Sequence, residues 1–391
     1  MKKPRLLYAS PFPPKPSGIS DYSVILVQAL REFFDITLYS DDYDITDPAL
    51  SSFPVLKYGK DEIDIDQYDD VIYNMGNSDM HGYIYKEALR HPGVVIMHDY
   101  VISHFICAHY HKANEKLYKK LYHLYKSFGI SECVPFGIAL MRHRLDDHFM
   151  ALHPLNSELF KSGNRFLVHS EYIRNKIINT GFVDKKNVKK IGFIEQMGDD
   201  ATIIHRDELF EKYHVPSNKT LICAFGLIWG NKLNVLTAQV VKRLHENGEK
   251  NISYLMVGQG NAADAELMDD VVMKTGFVTM DEFNSFVKYA DIVVNLRSPT
   301  MGETSAALMR AMQMGKPCII NDGGWYSELP EDSIEKVDLR NPQESLETLL
   351  KTMLHDQDRC KRIGDNAKKY VHDFCGKKAV AGQIYDFLKD A

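Results

Sequence analysis

No apolar run in this sequence approaches the ~20 residues that a membrane-spanning helix needs. Cysteines are few and scattered: Cys107, Cys133, Cys223, Cys318, Cys360 and Cys375 form no CxxC pair and no cysteine–histidine cluster at zinc spacing. Reduced thiols packed as small apolar groups are the expectation for all six. There is no basic excess, since 47 Lys and Arg stand against 53 Asp and Glu, a formal charge of −6. That balance argues against a general nucleic-acid binder. No G-x-G-x-x-G follows the first apolar run, which disfavours a nicotinamide dehydrogenase. Short-period repeats and low-complexity tracts are also missing. After Met1-Lys2-Lys3-Pro4-Arg5 only a few apolar residues precede Pro11, Pro13, Pro14 and Pro16. That run is too short for a signal-peptide core, so a cytoplasmic protein is expected.

What the chain does have is length and alternation. Its 391 residues suit two to three domains, each able to bury its own core. Short apolar runs predict strands at 5–9, 35–39, 70–74, 94–98 and 165–169 in the first half. In the second half they fall at 221–226, 253–257, 271–274, 292–296 and 318–321. Amphipathic stretches at 22–33, 235–244, 282–289 and 305–314 lie between them. Strands alternating with helices predict an α/β protein with parallel sheets covered on both faces. A polar stretch at 196–219, with Gly198-Asp199-Asp200, Pro216 and Ser217, separates the halves. We therefore expect domains at 1–195 and 196–371, with a helix at 372–391 crossing back to the first. Two doubly wound domains would put the carboxyl ends of both sheets at a shared cleft.

The segment richest in chemistry runs Asn295-Leu296-Arg297-Ser298-Pro299-Thr300-Met301-Gly302-Glu303-Thr304-Ser305. It follows a predicted strand and opens a predicted helix. Small residues at Gly302, Thr304 and Ser305 would let a ligand approach the backbone. The free N–H groups of that helix would attract an anion, and Arg297 would add a cationic clamp. Thr300-Met301-Gly302-Glu303 also fits the S/T-x-x-E capping box, in which Glu303 satisfies only a backbone N–H. The pattern by itself leaves both readings open.

Together with Gly315-Lys316-Pro317 and Gly324-Trp325-Tyr326-Ser327-Glu328, this segment resembles the donor region of the family 4 glycosyltransferases. These have the GT-B fold, and the closest branch reads GETS at this motif. Other stretches fit in the same order. They are Gly18-Ile19-Ser20-Asp21-Tyr22, Gly76-Asn77-Ser78 with His81, His98-Asp99, Phe225-Gly226 with Lys232, and Val257-Gly258 with Gly260.

The resemblance implies roles residue by residue. Gly18 would face the donor's diphosphate, where glycine allows positive φ or close approach; an ordinary strand-to-helix turn is the alternative. His98 would contact the donor sugar, with Asp21, His81 and Asp99 on the acceptor side. A buried histidine that caps a helix is the competing account of His98. Gly226, Lys232, Arg297, Gly302, Glu303, Thr304 and Ser305 would hold the donor and its diphosphate, and His98, Glu303 and Lys232 would serve catalysis. Lys232 could equally be a solvated lysine at a surface helix. Two departures stand out: Leu227 takes a position often basic, and Arg310 falls where a second glutamate is usual.

The segment 110–128 carries Tyr118, Tyr122 and Tyr125 with Lys112, Lys116, Lys119, Lys120 and Lys126. A core-packed helix with a solvated lysine face is the favoured reading. A peripheral membrane contact stays open, because the resembling family often uses lipid-linked acceptors.

The activity implied is transfer of a sugar from a nucleoside diphosphate sugar to a saccharide or lipid-linked saccharide, with retention, in surface polysaccharide assembly. No metal or other cofactor is expected. Asp42-Tyr43-Asp44 and Asp64-Ile65-Asp66 have the letters of a metal motif but not its strand-end setting. Alternatives are a nucleotide-sugar 2-epimerase of the same fold and a non-catalytic nucleotide-binding subunit.

Overall fold

The computed structural model describes residues 2–110, 116–197, 201–228, 230–260 and 268–390. Lys112, Gly198-Asp199-Asp200 and Trp229 lie outside the described residues. The chain divides into two compact units. The first holds Met1–Ile194, Met301–Thr304 and Lys377–Ala391; the second holds Glu195–Thr300 and Ser305–Gly376.

The first unit carries β1 (Arg5–Ala9), β2 (Asp35–Ser40), β3 (Val55–Lys57), β4 (Asp70–Met75), β5 (Val94–Met97), β6 (Arg165–Val168) and β7 (Val188–Lys190). They form one parallel sheet in the order β3-β2-β1-β4-β5-β6-β7. The second unit carries β8 (Thr220–Phe225), β9 (Ile252–Val257), β10 (Val272–Lys274), β11 (Ile292–Asn295), β12 (Cys318–Asn321) and β13 (Glu335–Val337). Their order is β10-β9-β8-β11-β12-β13, again all parallel. Both units are Rossmann-like. Central strands such as Val94-Val95-Ile96-Met97 are buried at every position, as a sheet covered on both faces requires.

All ten predicted strands are present within two residues of their expected ends. The three extra strands, β3, β7 and β13, have three residues each and lie at sheet edges. Each contains lysine, which suits a strand with one unpaired side and hides it from a search for apolar runs.

Both sheets reverse strand order once, between β1 and β4 and between β8 and β11. In open α/β sheets the loops leaving such a point form the natural ligand crevice. Gly18 follows β1 and Gly76 follows β4. Gly226 and Lys232 follow β8, while Arg297 follows β11.

The final helical stretch is broken at Gly376. Helix Gln357–Cys375 packs on helix Ala306–Gln313 in the second unit, and helix Lys377–Lys389 packs on Gly18–Leu30 in the first. There Gly192 N–H donates to Gln383 Oε1 at 2.8 Å and Arg165 Nη1 to the Phe387 carbonyl at 2.9 Å. All six cysteines are free thiols. Among the described residues no helix is long and apolar enough to cross a membrane.

Candidate functional site

In the first unit, the carboxyl ends of β5 and β6 bring two histidines together. His98 and His169 are both buried, with ring centroids 5.2 Å apart. Tyr22, from helix Gly18–Leu30, meets His98 edge-on at 4.7 Å and His169 at 5.4 Å, and Phe193 closes the cluster at 4.9 Å from His169. His98 Nε2 lies 3.2 Å from Asn74 Oδ1, and Asn74 Nδ2 donates to the Ala9 carbonyl at 3.3 Å. With the amide so oriented, the proton of a neutral His98 sits on Nε2 and Nδ1 keeps its lone pair. Burial, then the neighbouring His169 and His81, hold His98 well below the usual histidine range. Burial lowers His169 to about 4, with the backbone of Gly192 and Ile191 opposing in part. The Tyr22 hydroxyl is buried without a hydrogen-bond partner among the described residues. Tyr22 and His169 were missed as members of this cluster. The signal was that His169, like His98, ends an apolar run, and that the two runs form neighbouring strands.

The remaining first-unit residues differ in kind. Ser17 caps helix Gly18–Leu30, its side chain accepting from Ile19 N–H. Gly18 is not in the left-handed region, and a Cβ there would meet nothing within 4 Å. The protein itself therefore makes no steric demand for glycine at 18. Asp21 lies in the first turn of that helix. His81 is buried in a short 3-10 turn. Its Nδ1 lies 3.1 Å from Ser78 Oγ, and burial lowers it to about 4. Asp99 Oδ2 accepts from Asn77 N–H at 3.0 Å, and Asn77 Oδ1 accepts from Phe105 N–H at 3.0 Å. This carboxylate ties the loop after β4 to the loop after β5.

In the second unit the loop after β8 turns on Gly226, at φ +86°. Lys232 is buried, and its Nζ donates to the Phe225 carbonyl at 2.8 Å. The solvated-lysine alternative is thereby corrected: the turn 230–232 folds the ammonium back over the strand end. A Cβ on Gly226 would lie 2.9 Å from that Nζ. The loop after β11 is tied to its neighbours. Ser298 N–H donates to the Asn231 carbonyl at 2.8 Å and Arg297 N–H to Asn321 Oδ1 at 2.5 Å.

The motif around Glu303 does not form a helix capping box. The helix starts at Ala306, with Ser305 as its N-cap: Ser305 Oγ accepts from Leu308 N–H at 3.2 Å and from Asn295 Nδ2 at 2.9 Å. Glu303 Oε2 instead accepts from Met301 N–H at 2.6 Å. Gly302, at φ +80°, packs where a Cβ would lie 2.7 Å from Tyr100 Cβ. Packing thus accounts for glycine at 302, where the sequence suggests close ligand approach. Met301, Gly302, Glu303 and Thr304 belong to the first unit, whereas Arg297 and Ser305 belong to the second. A true capping box occurs elsewhere, at Thr279 and Glu282. Arg310 is buried, its guanidinium 5.9 Å from the Phe283 ring centroid.

Both Asp-x-Asp stretches sit in surface turns. Asp44 pairs with Lys57 at 2.5 Å and Asp42 with Lys60 at 2.6 Å, while Asp64 accepts from Gln67 Nε2 at 2.9 Å.

Residues 205–370 match the family model described as glycosyl transferases group 1, which is less than half of the chain. No curated protein sequence matches the chain. Three solved structures share its architecture along nearly the whole length. The Anabaena protein Alr3699/HepE, solved in complex with UDP-glucose, is 12% identical with a TM-score of 0.66, covering 99% of this chain and 100% of that one. WaaG, a glycosyltransferase involved in lipopolysaccharide biosynthesis, is 13% identical with a TM-score of 0.62 and covers the same shares. A Listeria monocytogenes structure described as a putative UDP-N-acetylglucosamine 2-epimerase is 12% identical with a TM-score of 0.57, covering 98% of this chain and 95% of that one. At such identities the likeness establishes the fold. It is the α/β arrangement of two Rossmann-like domains known as GT-B.

Proposed function

We propose that the protein is a group 1 glycosyltransferase that moves a sugar from a nucleoside diphosphate sugar to a saccharide or lipid-linked saccharide. The observation that carries this reading is the buried ammonium of Lys232, held over the left-handed Gly226 at a strand-order reversal. It falls inside the region matching the group 1 model. An ammonium fixed at the carboxyl end of a strand is placed to meet the negative charge of a diphosphate.

In this reading Lys232 and Arg297 stabilise the departing nucleoside diphosphate, and the helix opening after Ser305 adds its free N–H groups. The chemistry needs charge stabilisation at the leaving group, which two cations and a helix terminus supply without a metal. His98, which burial keeps neutral, would contact the donor sugar without bringing charge to it. The likeness of the glycan-assembly enzyme WaaG supports surface polysaccharide as the setting to test, with retention of anomeric configuration as the stereochemical outcome.

Calorimetry against UDP, GDP, ADP and dTDP, without added metal, tests the donor assignment. One nucleotide should bind saturably, and Lys232→Ala or Arg297→Ala should weaken it. No binding to any of the four by folded, monodisperse protein would refute the transferase reading. Consumption of the matching nucleotide sugar without any acceptor, yielding a 2-epimer, would assign the epimerase activity instead.

A further inference from the structure

Helices Leu117–Phe128 and Ile130–Met141 form an antiparallel pair joined at Gly129, in the first unit. Leu124, Phe128, Phe136 and Ala139 bury the inner side of the pair. The seam is close: Cys133 Sγ lies 3.4 Å from the Leu121 carbonyl, and a Cβ on Gly137 would come within 3.2 Å of Leu121 Cδ2.

The outer side is apolar where solvent should meet polar residues. On the first helix Tyr118, Tyr122 and Tyr125 stand exposed. On the second Ile130, Val134, Ile138 and Met141 form an i, i+4, i+8, i+11 stripe. All seven are between 43% and 69% exposed. Helix geometry places the two stripes side by side. Around the first helix Leu121 lies between the buried Leu124 and Phe128 and the tyrosines. Around the second, Cys133 and Gly137 lie between the buried Phe136 and the aliphatic stripe. Both stripes therefore flank the solvent side of one seam. Single exposed apolar residues are ordinary, but a contiguous patch of this extent marks a docking surface.

Charge selects the occupant. Residues 116–144 carry Lys116, Lys119, Lys120, Lys126, Arg142 and Arg144 against one acid, Glu132, a local formal charge of +5 in a chain of −6. Glu132 is itself engaged, 2.8 Å from His153 Nδ1. Lys119 and Lys126 lie just beyond the tyrosines around the first helix, and both are exposed. Aliphatic side chains at the centre, tyrosines beside them and lysines at the rim match the layering of a bilayer surface, where acyl chains give way to headgroups and anionic charge.

We propose that this helix pair docks the protein on an anionic lipid bilayer, with the Ile130–Met141 stripe entering the acyl boundary and the lysines engaging the headgroups. The proposal is independent of the donor reading, because none of these residues belongs to the loops after β8 and β11.

The test is co-sedimentation of the full chain with vesicles of phosphatidylcholine plus phosphatidylglycerol, and with phosphatidylcholine alone. Binding is expected to the anionic vesicles and to weaken with salt. The double variant Val134→Asp/Ile138→Asp should bind at least about tenfold more weakly, and Lys119→Glu/Lys126→Glu likewise. Exposed positions should leave the melting temperature unchanged, which the same samples check. As a second readout, Ile138→Trp should shift its emission to the blue on adding anionic vesicles. Binding to neither vesicle, or equal binding by the variants, overturns the proposal. So does a wild-type dimer that the aspartate pair turns into a monomer without any effect on lipid, since the face would then be an interface between two copies.

Discussion

Lys232 Nζ and the carbonyl oxygen of Phe225 are 2.8 Å apart, so the ammonium sits directly over the backbone of Gly226. The lysine is thus pre-positioned at the end of β8 and loses little side-chain freedom on engaging an anion. Lys232→Ala should reduce nucleoside diphosphate affinity at least about tenfold, or ~1.4 kcal/mol, with little effect on melting temperature. Lys232→Arg should not rescue it, since the longer planar guanidinium does not fit the same backbone carbonyl. Calorimetric titration of each variant decides the point, and wild-type affinity in the alanine variant would remove Lys232 from the donor site.

Gly226→Ala tests the same corner from the backbone side. Its φ of +86° is strained for an L-residue, and the new Cβ would crowd Lys232 Nζ at 2.9 Å. The expected cost is ~1–2 kcal/mol of stability, together with weaker nucleotide binding. Denaturant unfolding measures the first and calorimetry the second. An unchanged unfolding midpoint would show that the turn relaxes.

The buried histidines give stability a pH dependence. His81 and His169 are lowered to about 4, and His98 is lowered well below its ordinary value, all chiefly by burial. Between the unfolded value of about 6.5 and the folded values, the unfolded chain binds more protons. The stability these groups allow is therefore fully present above pH 6.5 and is lost as pH falls toward 4. Asp70, raised to about 6 by burial despite Arg165 3.5 Å away, acts in the opposite sense over nearly the same range. Three histidines outweigh one carboxyl, so the melting temperature should fall between pH 6.5 and 4.5. His169→Phe should flatten the fall. A flat wild-type profile would mean that water reaches these rings.

The central strands were legible in the sequence because burial on both faces leaves unbroken runs such as Ile292-Val293-Val294. Of the four edge strands only β10 was, since strands such as Val188-Lys189-Lys190 are paired on one side only and keep their lysines. Motif order located the loops carrying Gly226, Lys232 and Arg297, yet not how Lys232 is held, because its partner is a backbone carbonyl brought close by a turn. The pairing of His98 with His169 depends on β5 lying beside β6, which is a property of strand order rather than of either run. The exposed Ile130, Val134, Ile138 and Met141 have the same helical period as a core stripe. Periodicity cannot tell an apolar face that is buried from one that is not.

Gly364 and Gly315 test the packing that supports the donor-side helix. Gly315, at φ +70°, ends the segment after helix Ala306–Gln313, and helix Gln357–Cys375 crosses it at Gly364. A Cβ on Gly364 would collide with the Gly315 carbonyl oxygen. That atom is backbone, fixed by a turn in which Gly315 N–H donates to the Met312 carbonyl at 2.9 Å, so the helix must move. Gly364→Ala should cost ~1–3 kcal/mol, as overpacking does in well-filled interiors. The neighbouring Ala367→Gly would cost about 1 kcal/mol through helix propensity, with a cavity term added because Ala367 is fully buried. The two variants separate by nucleotide affinity. Gly364→Ala displaces the helix that carries Ser305 at its start and should weaken nucleotide binding as well as stability, whereas Ala367→Gly should lower stability alone. Equal nucleotide affinity in both would mean that the donor loop is positioned by the ties through Asn295 and Asn321 and not by this crossing.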